Sequence, residues 1–305
     1  MNVVFMGKPE IAATCLKGLL EAGISVTAVY TKPDTPKNRG MKMTMSPVKE
    51  LALEKGIAVY QPVTFKDDAV YEEMKTLAPD LVVTVAYGKI LPQRFLDIPV
   101  HGCVNMHASI LPQLRGAGPV QWSILNHCEK TGVTAMYMSA GMDEGDIIEI
   151  RETPIDPNET SMELMDRLAV IASALAVDTV HAIEAGTVTR RAQEHEKATY
   201  APMLSKELSP IDWSNCARYV IDQVRGLIPW PVATAELGGT KFKIFCVVKE
   251  EKTTTEAPGT ILALTKKGLE VACGGGEVVT VTQLQAEGGK RMAAPDYFRG
   301  HPSEI

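Results

Sequence analysis

Along the first half of the chain, short apolar runs alternate with segments of helical period. The run "NVVFM" (2–6) stops at Gly7, and "PEIAATCLKGLLEAG" (9–23) opens on proline and closes on glycine, as helices do. The alternation continues with a strand over 25–31, a Ser-Pro-initiated helix over 46–56, a short strand over 57–61 and a polar helix over 66–77. "DLVVTVAY" (80–87) is apolar on both faces, the mark of a central parallel strand. A strand over 102–108 and a helix over 117–128 follow, and 132–138 and 146–155 then alternate like a hairpin at the sheet's far edge. Residues 160–185 repeat Met162, Leu164, Leu168, Ile171 and Leu175 at helical spacing.

This pattern predicts an α/β domain built on a Rossmann-like parallel sheet over 1–188. Polar, aperiodic residues follow, and the linker is placed at 189–207. The domain over 208–305 differs in kind. A short helix (214–227) precedes five apolar runs separated by glycine-rich or charged turns, which predicts a small OB-like β-barrel. The first strand–helix turn, "GKPEIA", holds one glycine where a dinucleotide fingerprint needs three, which argues against NAD.

At 305 residues, 45% hydrophobic and 22% charged, the chain is long enough for two domains. It lacks the apolar run of about 18 residues that a membrane span requires, and its start lacks signal-peptide features, so the expectation is a cytoplasmic protein. The six cysteines are scattered and read as small buried hydrophobes, and no metal site is expected. The net charge of −6 excludes a generally basic surface. Its distribution says more: residues 1–205 carry 19 Lys and Arg against 25 Asp and Glu, whereas 206–305 carry 12 of each. Inside the acidic part, residues 32–49 hold five basic residues, Lys32, Lys37, Arg39, Lys42 and Lys49, against one acid, Asp34.

Strand parity puts Asn105 and His107 on one face, at the C-terminal end of a strand where open α/β sheets keep their sites. An amide and an imidazole converging on one point can hold a developing oxyanion. The histidine needs a carboxylate partner, and the turn "GMDEGD" offers Asp143, Glu144 and Asp146 without deciding between them. A second strand exit, "VAYGKILP", keeps Ile90 and Leu91 apolar in a loop, which suggests a pocket wall for a flat ligand.

Taken together, "NMHASILP", "RGAGPVQ", "TGVT" and "GMDEGD", with "TKPDTPKNRG", "VAYGKILP", "IDWS" and "PWP", resemble the folate-dependent formyltransferases, and specifically their tRNA-acting branch. The resemblance covers essentially the whole chain. It implies catalytic Asn105, His107 and Asp143, and folate contacts from Ser109, Ile110, Leu111, Pro112, Tyr87, Gly88, Leu91 and Asp146. It further implies that Lys37, Arg39 and Lys42 reach the acceptor end of a tRNA. The implied reaction moves the formyl group of 10-formyltetrahydrofolate to the α-amine of methionine on charged initiator tRNA. No membrane and no obligate protein partner is implied. The chain departs from the family pattern at Ile110, at Gln113-Leu114, and at Lys8 and Glu10. Met41, Met43 and Met45 read as flexible surface hydrophobes, and Trp230 as core or domain-interface packing. Three rivals remain: transfer to a small amine, hydrolysis of the same folate, and a non-catalytic tRNA-binding module.

Overall fold

The computed structural model describes residues 1–37 and 42–302. Two compact units emerge. The first comprises Met1–Pro119, Lys130–Pro154 and Met165–Pro202; the second comprises Val120–Glu129, Ile155–Leu164 and the chain from Met203 onward.

In chain order the elements are β1 (Val3–Gly7), α1 (Glu10–Glu21), β2 (Val26–Tyr30), β3 (Thr35–Lys37), β4 (Lys42–Thr44) and α2 (Pro47–Glu54). β5 (Ala58–Tyr60), α3 (Asp68–Leu77), β6 (Leu81–Val85), α4 (Gln93–Leu96), β7 (Cys103–His107) and β8 (Arg115–Gly116) follow. Then come α5 (Pro119–Leu125), β9 (Lys130–Tyr137), β10 (Ile147–Pro154), α6 (Ser161–Glu184) and β11 (Tyr200–Ala201).

Seven strands form the main sheet of the first unit in the order β10-β9-β7-β6-β1-β2-β5. The ladders from β7 to β5 are parallel, whereas β9 runs antiparallel to both β7 and β10. The edge hairpin expected from the sequence is therefore present. From β1 the chain winds outward through β2 to β5, then returns across β1 to β6 and β7. That reversal opens a crevice at the C-terminal ends of β1 and β6, where ligands of such sheets bind.

Local chemistry explains the elements. Every residue of β1 and β6 is buried, so both faces of these central strands are covered. Ser46 caps α2 by accepting from Lys49 N at 3.2 Å, with Pro47 in the first turn. Asp67 caps α3 through Ala69 N at 2.9 Å. Gly7 has no room for a side chain: a Cβ there would lie 2.5 Å from Ala12 Cβ and 2.9 Å from Val85 O. Below the crevice, Phe65 packs edge-on against Tyr87 and Phe95, at centroid separations of 6.0 and 5.0 Å.

The second unit adds α7 (Ala217–Gly226), β12 (Ala233–Leu237), β13 (Thr240–Thr253), β14 (Ile261–Leu264) and β15 (Leu269–Ala272). β16 (Glu277–Ala286), β17 (Met292–Ala293) and α8 (Ala294–Gly300) complete it. Its antiparallel sheet runs β12-β13-β16-β15-β14, with β17 paired to β16. The five main strands are the five apolar runs read from the sequence. Register shifts at Ile244–Val247 and Glu250–Thr253 interrupt the long β13 ladder, the irregularities that bend a strand around its core. That core includes Val220, Val224, Phe242, Val281, Leu284 and Phe298.

Asp222, 1% exposed, anchors α7. It accepts from Arg218 Nε and Arg225 Nε, both at 2.6 Å, and pairs with His127 Nδ1 at 2.7 Å. Burial pushes this carboxyl up, but the hydrogen bonds from His127, Arg218 and Arg225 outweigh it and hold Asp222 below the ordinary carboxylate range. Trp230 is 49% exposed and so is not a core residue, contrary to one of the two packing roles expected for it. Proline on both sides confines it to a turn. The described cysteines are all free thiols, and Cys15, Cys103 and Cys273 are buried. Among the described residues no His, Cys, Asp and Glu group is arranged to hold a metal, and no helix is long and apolar enough to cross a membrane.

Candidate active site

β7 delivers Asn105 and His107 to the sheet's C-terminal edge on one face. His107 is 6% exposed, and its Nε2 lies 2.9 Å from Leu114 O. A carbonyl can only accept, so Nε2 carries the proton of that bond. Nδ1 points the other way, 3.6 Å from Asp143 Oδ2. That spacing is too long for a hydrogen bond but short enough for an ion pair once Nδ1 is protonated. Asn105 is half-buried, and its amide makes no hydrogen bond with the described residues. Beside it in the β6–β7 register, the Thr84 hydroxyl is buried and likewise unpaired. A built polar edge with open donors remains there.

Of the three acids in the turn, Asp143 is the one brought to His107. It sits at φ +53°, and its Oδ2 accepts from Gly116 N at 2.8 Å. Gly145 allows the turn to fold against the sheet, since a Cβ there would lie 1.9 Å from Tyr137 O. Glu144 is exposed, and Asp146 ties the turn to β9 by its carbonyl, which accepts from Tyr137 N at 2.8 Å.

The loop after β7 is clamped from below. Thr134 Oγ1 donates to Ser109 O at 2.6 Å and accepts from Leu111 N at 3.1 Å. The Ser109 hydroxyl is fully buried and donates to Gln113 O at 2.7 Å, so it closes the loop on itself. Leu111 is buried against Met136 and Ile147, and Ile110 and Pro112 are half-buried. At the other strand exit, Tyr87 and Leu91 turn into the core, while Gly88 and Ile90 face outward. Burial raises the Tyr87 hydroxyl above the ordinary tyrosine range.

Sequence reasoning missed the residues that hold these loops together. Residues 191–201, inside the stretch read as a linker, run along both. Arg191 exchanges two backbone hydrogen bonds with Ile147, and Tyr200–Ala201 pairs with Arg115–Gly116. Leu114 N donates to Thr199 Oγ1 at 2.9 Å. Gln193 is buried between Arg115 and the Asp143 turn. Only the aperiodic polarity of the stretch could have drawn attention to it.

A lysine group edges the crevice. Lys8, Lys32 and Lys89 are all half-buried and follow β1, β2 and β6. Lys32 Nζ lies against Gly88, within 2.7 Å of where a Cβ would stand. Lys89 Nζ donates to Pro62 O and Val63 O. Burial and then Lys8 pull Lys32 below the ordinary lysine range, and burial and then Lys32 do the same to Lys89. Lys49 is spent, donating to Asp34 Oδ2 at 2.6 Å and Gln61 Oε1 at 2.8 Å. Asp34 is held low by hydrogen bonds to its carboxylate, from Lys49 first and from Gln61 Nε2 second. A cleft of about 420 Å³ opens beside Lys8, Pro9, Thr35, Thr44, Ser46 and Ala86. Thr35–Lys37 and Lys42–Thr44 form a hairpin that was not foreseen, with Met43 60% exposed. The expected tRNA contact Arg39 lies outside the described residues, as do the side chains of Lys37 and Lys42.

Two family models match the chain: "Formyl transferase" over residues 1–180 and "Formyl transferase, C-terminal domain" over 203–302. A methionyl-tRNA formyltransferase of Acetivibrio thermocellus is 46% identical over 302 residues, covering 99% of this chain and 97% of that protein. Its counterpart in Alkaliphilus oremlandii is 43% identical over 304 residues, covering 100% and 98%. Among solved structures, the N-formyltransferase of Helicobacter canadensis with folinic acid and dTDP-3-aminofucose matches at TM-score 0.70 and 19% identity, covering 92% and 98%. HypX of Aquifex aeolicus with tetrahydrofolic acid matches at TM-score 0.67 and 16% identity, covering 97% of this chain and 46% of HypX. The chain thus spans about half the length of HypX, and these two likenesses bear on the fold.

Proposed function

The chain belongs to the formyl transferase family, and from that premise we propose that it moves the formyl group of 10-formyltetrahydrofolate to the α-amine of methionine on initiator tRNA. One observation carries the choice of acceptor: the similarity to methionyl-tRNA formyltransferases runs end to end, through both units.

The folate co-substrate supplies a formyl carbon bonded to N10. The site suits it, because the free Asn105 amide and the unpaired Thr84 hydroxyl sit beside His107 on one polar edge. Asn105 donates to the formyl oxygen as the methionine amine attacks and negative charge gathers there. One such donor is typically worth about 3–4 kcal/mol of barrier. His107 keeps Nε2 on Leu114 O, which leaves Nδ1 and the Asp143 carboxylate to face the reacting centre. The attacking nitrogen forms its bond to carbon and gives up a proton to this pair. The C–N10 bond breaks, and N10 leaves with the proton that the amine gave up to the pair. Ser109 to Pro112 shape the pocket by backbone position, since the Ser109 hydroxyl is already engaged. Gly88, Leu91, Tyr87 and Asp146 belong to its walls and floor. Lys37, Arg39 and Lys42 meet tRNA phosphates, and Lys8 and Lys32 add positive charge toward anionic substrate groups.

Transfer of labelled formyl from 10-formyltetrahydrofolate to methionyl initiator tRNA, glycinamide ribonucleotide and water tests the reading. Label on the charged tRNA alone is the expected result. Label on the small amine would overturn the acceptor, and release of formate would make the chain a hydrolase. Binding of tRNA without transfer would leave a binding module.

A further inference from the structure

Gln193 closes a circuit that reaches Asp143 from two sides. Its Nε2 donates to Asp143 O at 2.9 Å and to Gly145 O at 2.8 Å, bracketing the turn that carries the carboxylate. Its Oε1 accepts from Arg115 Nε at 3.1 Å and Arg115 Nη2 at 2.6 Å. Arg115 is 2% exposed, and the next residue, Gly116, gives its N–H to Asp143 Oδ2 at 2.8 Å. One amide thus fixes the backbone of the turn, while the arginine it holds is followed directly by the group that fixes the carboxylate. Asp143 needs this support. It sits at φ +53°, where a non-glycine residue is strained, and only the surroundings can keep it there.

We propose that Gln193 is a positioning residue for formyl transfer, holding the Asp143 turn so that the carboxylate faces His107. The inference rests on the formyltransferase reading above. Gln193 touches neither substrate; it acts through Asp143. Both amide functions are used at once, donor toward the turn and acceptor toward Arg115. A residue that only fills space would have no need of that pairing.

Two substitutions separate the roles. Gln193→Ala removes both functions. Gln193→Glu keeps the size and the acceptor for Arg115, but has no N–H to give to Asp143 O and Gly145 O. Each is expected to lower kcat by about 10²-fold, the usual scale for a small misplacement of a reacting group, with KM for folate and for charged tRNA little changed. In an Asp143→Asn background the same substitutions are expected to lower kcat by less than about twofold, because groups that act as one unit are not additive. Full activity in either single variant would overturn the proposal. So would losses that multiply in the Asp143→Asn background, or that fall on KM, since these mark a general structural role. Should Gln193→Ala fail to fold by circular dichroism, Gln193→Glu decides by the same cycle. Wild-type protein with no transfer to any acceptor would instead sink the formyltransferase reading, and the proposal with it.

Discussion

His107 Nδ1 and Asp143 Oδ2 stand 3.6 Å apart. The gap is wider than a hydrogen bond, and both groups are tied down. Nε2 is held by Leu114 O, and the Asp143 oxygen by Gly116 N–H. In the proposed reaction, a proton arriving from the amine therefore meets a base whose orientation is already set. Asp143→Asn is expected to lower kcat by about 10²–10⁴-fold, and Asn105→Ala by about 10²–10³-fold, with KM for the folate nearly constant. Steady-state kinetics check this; a change below threefold in both would remove these residues from the chemistry.

Gly116 is expected to tolerate no side chain. Its φ is +117°, and a Cβ would lie 2.7 Å from the Ala201 carbonyl oxygen, a backbone atom that cannot swing aside. Gly116→Ala would part β8 from β11 and pull the N–H from Asp143. A stability loss of about 1–3 kcal/mol and a fall in kcat are expected together, read by thermal melting and kinetics. A variant with wild-type kcat would show that the Gly116 bond is dispensable.

Lys32 is half-buried beside Lys8 and Lys89, and no hydrogen bond links its amine to the described residues. Lys32→Ala should raise KM for one of the two anionic substrates and flatten its dependence on salt. For a phosphate contact the slope of log affinity against log salt should shrink by about 0.7–0.9. Lys49→Ala, whose amine is already paired with Asp34, should change that slope little. Unchanged KM and slope for both substrates in Lys32→Ala would exclude it from binding.

Acid should loosen the second unit through Asp222. Its folded value is depressed, so its contribution is complete above the ordinary value of 3.8 and is lost as pH falls through the lower folded one. The melting temperature is expected to hold near neutrality and drop below about pH 4. Asp222→Asn removes the counter-charge of Arg225, whose side chain is 7% exposed, at a cost of about 3–5 kcal/mol near neutral pH. It should also flatten the acid limb. An unaltered limb in that variant would place the titration elsewhere.

The sheet was legible because its central strands β1 and β6 are buried on both faces and α2 and α3 carry side-chain caps at their starts. Strand parity placed Asn105 and His107 on one face, whereas no local pattern separates Asp143 from Glu144 and Asp146; that choice came from the family resemblance, and the structure brings Asp143 to His107. The β3–β4 hairpin escaped notice because "TPK" and "KMT" carry no alternation. The helix expected over 117–128 ends at Leu125, and His127 already has φ +57°. Gln193 was invisible for a physical reason. Its partners lie 78 residues away at Arg115 and 50 away at Asp143, and no local pattern encodes such a bond.

That separation has a temporal side. Leu114 meets Thr199 across 85 residues, so during synthesis the loop after β7 and the Asp143 turn exist long before the segment that helps secure them. Long-range contacts of this kind form late, because the chain must first give up the freedom of a large closed loop. A fragment ending near residue 188 would carry Asn105, His107 and Asp143 and could complete the seven-stranded sheet, yet lack the hydrogen bonds that Arg191, Gln193 and Thr199 make to the two loops. Competence would arrive as a separate, final event in folding, once the chain through Ala201 has docked.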